Sequence, residues 1–267
     1  ILIHPSNSDS LIKKSKLLLI ESNKANLNLT KQKNNPQSIF IVGMPRSGTT
    51  LVESIISMNS EVLDLGEINA FERSFKEWKE KKGKVDLVDL YMQRINKELK
   101  SHITTNKWLY NYQYAGIIAS QIPNSKIIHC YRNPLDNILS IYRTNFAKDN
   151  EYSSSLIDCA IIYLDHKQIM KEYKKRFPEN IYDLNYDLLV KNPYKEIKSL
   201  INWLGWKWNK TYLKPHVSKR SVFTASDVQI RSKINSKSIG GWKNYKEMLK
   251  PAIEIITKTD KYKDLKY

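Results

Sequence analysis

Cysteine is nearly absent. Cys130 and Cys159 are the only two in 267 residues, and neither has a partner at C-x-x-C spacing. This argues against a disulfide framework and against the common thiolate metal and redox motifs, leaving at most one bridge open, and it favours a reducing compartment. None of the five histidines falls in a metal-ligating pattern, so no metal is expected. Long apolar runs are missing too, none approaching the roughly 20 residues of a membrane span, and no span is expected within the chain. Acidic residues are few beside basic ones, 27 Asp and Glu against 44 Lys and Arg, for a net charge of +17. A field of that sign attracts nucleic acid, anionic membranes or anionic small substrates. The lysines are scattered and form no long basic tract, so most of the excess reads as solvated surface, with no specific nucleic-acid partner. No internal repeat is present. A cytoplasmic location is the expectation; because the first residue is Ile1 rather than Met, an upstream targeting segment stays open.

What is present is a globular composition, 41% hydrophobic and 10% aromatic, in a chain long enough for one substantial core or one core with a small subdomain. Residues 1–37 are polar and rich in Asn, Lys and Ser around Leu17–Ile20, which reads as a helix remnant and linker ending at Pro36; the domain proper is expected over 38–267. From Ile39 strands alternate with helical stretches. A strand at Ile39–Val42 precedes a helix to about Met58, and amphipathic stretches run over Phe71–Lys82 and Val85–Leu99. A helix from near Tyr112 precedes a strand at Lys126–Cys130 and a helix at Pro134. A long helix spans Leu156–Phe177, followed by a strand at Ile181–Leu184 and helices near Asp187 and over Tyr194–Leu204. The region Lys207–Ser238 is irregular and basic. This alternation predicts an α/β fold of three layers, a mostly parallel sheet flanked by helices, with loop chemistry at the carboxyl edge.

Residues 38–52, Ser-Ile-Phe-Ile-Val-Gly-Met-Pro-Arg-Ser-Gly-Thr-Thr-Leu-Val, join a β-branched run to a loop framed by Gly43 and Gly48 and then to an apolar helical pattern. Strand, glycine loop and helix start aim backbone N–H groups and a positive dipole end at one point, which is a phosphate site. The spacing is G-x-x-x-x-G, but Thr49 stands where a triphosphate loop needs Lys. The loop therefore reads as a cradle for one 5′-phosphate, with Arg46 aimed at whatever that phosphate carries. A second constellation is Arg132, at the end of a buried strand, with Ser140 after seven intervening residues. An Arg fork and a Ser hydroxyl suit a second phosphate. Gly66-Glu67 follows Ser47 by 20 residues and puts a carboxylate where it could face the loop. His129 lies in a strand and reads as packed.

These motifs, in this order, resemble the sulfotransferases that use 3′-phosphoadenosine 5′-phosphosulfate (PAPS). Pro45-Arg-Ser-Gly-Thr-Thr50 resembles the 5′-phosphosulfate loop of their tyrosylprotein sulfotransferase-like branch, whose bacterial members often follow tetratricopeptide repeats. The resemblance spans roughly Ile39–Tyr245 and implies a P-loop-containing enzyme that moves the sulfuryl group to a hydroxyl of a protein tyrosine or a carbohydrate. Arg46, Ser47, Gly48, Thr49 and Thr50 would bind the donor's 5′ end and Arg132 and Ser140 its 3′-phosphate. Glu67 would be the base, and Lys107 would neutralise the leaving-group oxygen. Thr224–Gln229 through Trp242 is similar to the branch's C-terminal segment, in which Ser226 would help hold the sulfuryl group. Tyr186 matches a tyrosine near the adenosine. The product would be adenosine 3′,5′-bisphosphate (PAP), and the oligomeric state is not readable. Two positions depart from the pattern. Trp108-Leu109-Tyr110 replaces a Pro usually found after the lysine, and Gly241 replaces a basic residue before Trp242, whose charge Arg231, Lys233 or Lys237 would have to supply. Two other readings remain at this level: a small-molecule or nucleotide kinase, against which the missing loop Lys counts, and a non-catalytic polyanion-binding module.

Overall fold

The computed structural model describes residues 8–24, 36–95, 103–144, 146, 150–218 and 231–266. Within them five strands form one sheet: β1 (Gln37–Gly43), β2 (Val62–Asp64), β3 (Ile103–Asn106), β4 (Ser125–Tyr131) and β5 (Ile181–Asn185). Their order is β2-β3-β1-β4-β5, and every neighbouring pair is parallel. β1 is buried from Ser38 to Gly43. Burial on both faces explains why it reads as a continuous apolar run and not as an alternation.

The helices are α1 (Ser8–Lys24), α2 (Thr49–Ile56), α3 (Ala70–Glu80), α4 (Leu87–Ile95), α5 (Ala115–Gln121), α6 (Pro134–Tyr142), α7 (Leu156–Arg176), α8 (Tyr186–Lys191), α9 (Pro193–Trp203) and α10 (Lys246–Ile256). Side chains alternate across β1, so Phe40 and Val42 pack with Phe71, Tyr91, Ile118 and Tyr173 from α3, α4, α5 and α7. Ile39 and Ile41 pack on the other face with Val52, Ile55, Ile197 and Ile201 from α2 and α9. The result is the expected three layers. A third cluster joins α6, α7 and α10 through Ile138, Tyr163 and Leu249. Helix α1 lies on this body: Arg176 donates to the Ser22 carbonyl at 2.7 Å, and Gln113 to that of Leu11 at 3.1 Å. Among the described residues no helix is long and apolar enough to cross a membrane.

Local geometry differs from the sequence pattern in several places. The alternation showed three strands, and the short β2 and β3 were not among them. The stretch expected to be helical from Tyr112 is a tighter 3₁₀ turn over Leu109–Tyr114, and the α-helix starts only at Ala115. Helix α10 carries Pro251 in its interior, where the ring removes an N–H donor, and nothing in the sequence pattern marked it as helical. Its apolar face holds it in place, through Leu249, Ala252 and Ile256, all fully buried. Because β1 sits between β3 and β4, the chain leaves it first toward one side of the sheet and later toward the other. Its carboxyl end is the switch point at which such sheets hold ligands.

Candidate active site

The loop after β1 is fixed by close contact on both sides. A Cβ on Gly43 would strike the Cys130 carbonyl of β4, and one on Gly48, at φ 99°, would strike the Tyr186 ring. Between them the Ser47 N–H donates to the Met44 carbonyl at 3.2 Å and the Asn137 side chain to that of Pro45 at 2.8 Å. Arg46 has φ 65°, a backbone region that non-glycine residues seldom occupy. Gly48 then serves as N-cap of α2 with no side-chain cap, and the first turn holds no acidic residue. The turn's N–H groups have no side-chain cap, and with the positive dipole end they form a place suited to an anion. Thr49 and Thr50 are buried there, and the Ser47 hydroxyl is buried with no hydrogen-bond partner.

Arg132 directly follows β4. The next residue, Asn133, starts α6 by accepting from the N–H groups of Leu135 (3.0 Å) and Asp136 (3.2 Å), with Pro134 in the first turn. Two turns on, Ser140 reaches the loop and accepts from Arg46 Nε at 3.2 Å. Arg132 donates to the carbonyls of Arg46 (3.4 Å) and Ser238 (2.5 Å), and its guanidinium lies 4.9 Å over the Tyr186 ring. Its Nε is buried without a partner. Burial first, and the Arg132 charge second, push the Arg46 guanidinium below its ordinary value, against an opposing effect of Tyr186. Two arginines thus share one spot, an arrangement suited to an anion.

Asp136, which no motif singled out, closes this cluster. Its carboxylate accepts from Gly240 N at 2.7 Å and Trp242 N at 3.0 Å, and the Tyr186 hydroxyl meets that of Ser238 at 2.8 Å. The segment from Ser238 to Trp242 is tied over Arg132 by main-chain groups. Of the three basic residues considered as substitutes at Gly241, Arg231 donates to the Ser218 carbonyl at 3.5 Å, while Lys233 and Lys237 are exposed.

On the other flank of β1, Lys107 follows β3. Its N–H donates to the Gly66 carbonyl at 2.8 Å, extending the β2–β3 ladder and bringing Glu67 alongside. Lys107 Nζ donates to Glu67 Oε1 at 2.5 Å. The lysine side chain is 1% exposed and that of Glu67 38%, so the carboxylate is the solvent-facing member of the pair. A second carboxylate escaped sequence reasoning: Glu53 of α2, 1% exposed, lies 4.0 Å from Lys107 Nζ and accepts from the Thr105 hydroxyl at 3.4 Å. The available signal was an acid within the apolar pattern of α2. Beyond Lys107, the Trp108 N–H is held by the Asn106 side chain at 3.0 Å, and the 3₁₀ turn follows.

Arg46, Arg132, Ser140 and Tyr186 therefore meet at one point, Glu67 and Lys107 at another, and Ser47 to Thr50 lie in the loop between their strands. Ser226, with the rest of Thr224–Gln229, lies outside the described residues. Among the described residues no three His, Cys, Asp or Glu side chains are grouped to hold a metal ion.

The family model described as "Sulfotransferase family" matches residues 36–210. A curated relative, an uncharacterized protein of Aquifex aeolicus (strain VF5), is 34% identical over 242 residues, covering 82% of this chain. The chain spans about a third of that relative's length (32%). Among solved structures, the sulfotransferase domain from the Synechococcus PCC 7002 olefin synthase has a TM-score of 0.62 at 16% identity, covering 84% of this chain and 95% of that domain. Mouse sulfotransferase SULT7A1 complexed with PAP has a TM-score of 0.56 at 18% identity, covering 95% of this chain and 94% of that one. At such identities these likenesses show the fold.

Proposed function

The chain belongs to the sulfotransferase family, and from that premise we propose that it moves the sulfuryl group of PAPS to an acceptor hydroxyl. The observation that carries this reading is the meeting of Arg46 from the loop with Arg132 and Ser140 beside Tyr186. It sets Arg132 and Ser140 directly against a one-phosphate loop, so that two anionic groups of one ligand, as in a nucleotide phosphorylated at both 5′ and 3′ positions, can be met from β4–α6 and from the loop. The residues fit such a donor. The Ser47 hydroxyl and Arg132 Nε are buried polar atoms without partners, an arrangement that costs free energy unless a ligand supplies them. Arg46, Ser47, Thr49, Thr50 and the N–H groups at Gly48 would hold the 5′-phosphosulfate, Arg132 and Ser140 the 3′-phosphate, and the Tyr186 ring would line the nucleoside. Ser226 stays an expected sulfuryl contact. The mouse relative's PAP complex supports the same donor class.

The chemistry is a displacement at sulfur. The acceptor oxygen forms its bond to sulfur while the bond from sulfur to the 5′-phosphate oxygen breaks, giving a sulfate ester and PAP. Glu67 takes the proton that the acceptor hydroxyl loses, as general base. Lys107, held at the end of β3, faces the charge that develops on the departing oxygen, where a preorganised cation acts most strongly. When Glu67 takes the proton, Glu53, 4.0 Å from Lys107 Nζ, is a second acid beside the buried lysine.

The acceptor is a hydroxyl of a protein tyrosine or a carbohydrate. Incubation with ³⁵S-labelled PAPS and separate pools of tyrosine peptides, glycans and cell extract tests both. Label on one pool identifies the class. PAPS left intact by every pool would overturn the reading.

A further inference from the structure

The face of β4 turned away from α2 carries chemistry that the donor site does not use. His129 and Tyr131 point toward α7: the His129 ring lies 5.0 Å from that of His166, and Lys167 Nζ sits 3.8 Å over the Tyr131 ring. Beside them a cavity of about 600 Å³ opens between α7, β5 and the final 3₁₀ turn (Asp260–Lys266). It shares no residue with the site described above. Lys167, Lys171 and Lys174 face it from one side of α7, at the spacing that aligns side chains on a helix, and Lys261 faces it from the last turn.

The charges lining this cavity are poorly balanced. Asp183 is engaged by His129, whose Nδ1–H donates to it at 2.5 Å, and Asp260 pairs with Lys263. Lys174 is used internally, donating to the carbonyls of Pro178 and Ile181. Among the described residues Lys167, Lys171 and Lys261 have no carboxylate within ion-pair distance. Burial and the nearby Lys261 charge hold the Lys167 ammonium down to about 8, against the pull of Asp183. A half-buried cation facing another cation across a cavity is stabilised by an anion between them. The lining contains lysines and no arginine. Lysine ammoniums act as point charges, and three of them around one cavity can surround the oxygens of a tetrahedral phosphate or sulfate group. Leu164 and Tyr262 add apolar wall.

We propose that this cavity is a second anion site, distinct from the donor site, that takes the phosphate or sulfate group of a small ester between Lys167, Lys171 and Lys261. The ester's carbon part would lie against Leu164 and Tyr262. Calorimetric titration tests it with inorganic phosphate, inorganic sulfate and phenyl phosphate, each with and without saturating PAP, on wild type, Lys167→Met and Lys250→Met. The expected result is binding that persists in the presence of PAP, weakens about tenfold or more in Lys167→Met and is unchanged in Lys250→Met. Tighter binding of phenyl phosphate than of the free ions would identify an ester as the ligand class; equal binding would restrict the site to the free ion and overturn the ester part. Binding abolished by PAP would assign the heat to the donor site. Equal affinity in Lys167→Met, or no heat at all, would likewise overturn the proposal. Removing a half-buried charge should not impair folding, and Lys261→Gln provides a second variant that perturbs the site from the other wall. The Lys167→Met arm stands even if PAP does not bind, so failure here is distinct from failure of the sulfotransferase reading.

Discussion

Glu67→Gln removes the proposed base beside Lys107 and leaves the groups assigned to the donor's phosphates intact. Turnover is expected to fall by about 100-fold or more, the range for losing a general base, with PAP affinity unchanged by calorimetry. Full activity in the variant would move the base elsewhere. A second residue-scale expectation concerns acid stability. His166 is buried with both ring nitrogens unpartnered, packed against His129 and Tyr112. Burial, then the His129 and Lys167 charges, hold it well below the usual imidazole value. A depressed value means that the unfolded chain binds a proton the folded one refuses, so the contribution is fully present above about pH 6.5 and is lost as pH falls. His166→Phe should flatten the drop in melting temperature between pH 7 and 5; an unchanged slope would contradict this. Arg46, Arg132, Ser140 and Lys107 were legible because loop and strand-end motifs carry them. Glu53 and Asp136 were not, since their positions matter only once distant segments, Lys107 and residues 240–242, fold against them.

At the scale of elements, Asp136 binds α6 to the segment that crosses Arg132. Asp136→Ala leaves the N–H groups of Gly240 and Trp242 without their acceptor, at about 1–3 kcal/mol for a buried group left unsatisfied. Faster hydrogen exchange over residues 238–245 and weaker PAP binding are expected. Unchanged exchange there would show that Trp242, buried among α6, α7 and α10, holds the segment by itself. Helices and strands were legible where their periodicity was uninterrupted, as in α7 from Leu156 and β4 around Ile127 and Ile128. Legibility failed where packing overrides propensity. Pro251 sits inside α10 because Leu249 and Ile256 are buried on either side of it. The 3₁₀ turn at Leu109–Tyr114 replaces an α-helix start directly after the Trp108 departure.

Over the whole molecule, the parallel order β2-β3-β1-β4-β5 places the loop, Arg132 and Lys107 at the ends of three adjacent strands; the alternation implied a parallel sheet with loops at its carboxyl edge but did not show β3. The sheet order itself was not legible, because strand neighbours are chosen by packing that single-strand patterns do not encode. The net charge of +17 raises the encounter rate with a polyanionic donor without selecting it. On the proposed reading, selection comes from Arg132 and Ser140, which would hold the donor's 3′-phosphate. The most direct test is calorimetric titration of PAP and AMP into wild type and Arg132→Ala. PAP is expected to bind wild type at least about tenfold tighter than AMP, and Arg132→Ala to lose about 1.5–3 kcal/mol for PAP, the range for a hydrogen bond to a charged group, with much less lost for AMP. Equal wild-type affinities for the two nucleotides, or an identical loss for both in the variant, would contradict the account.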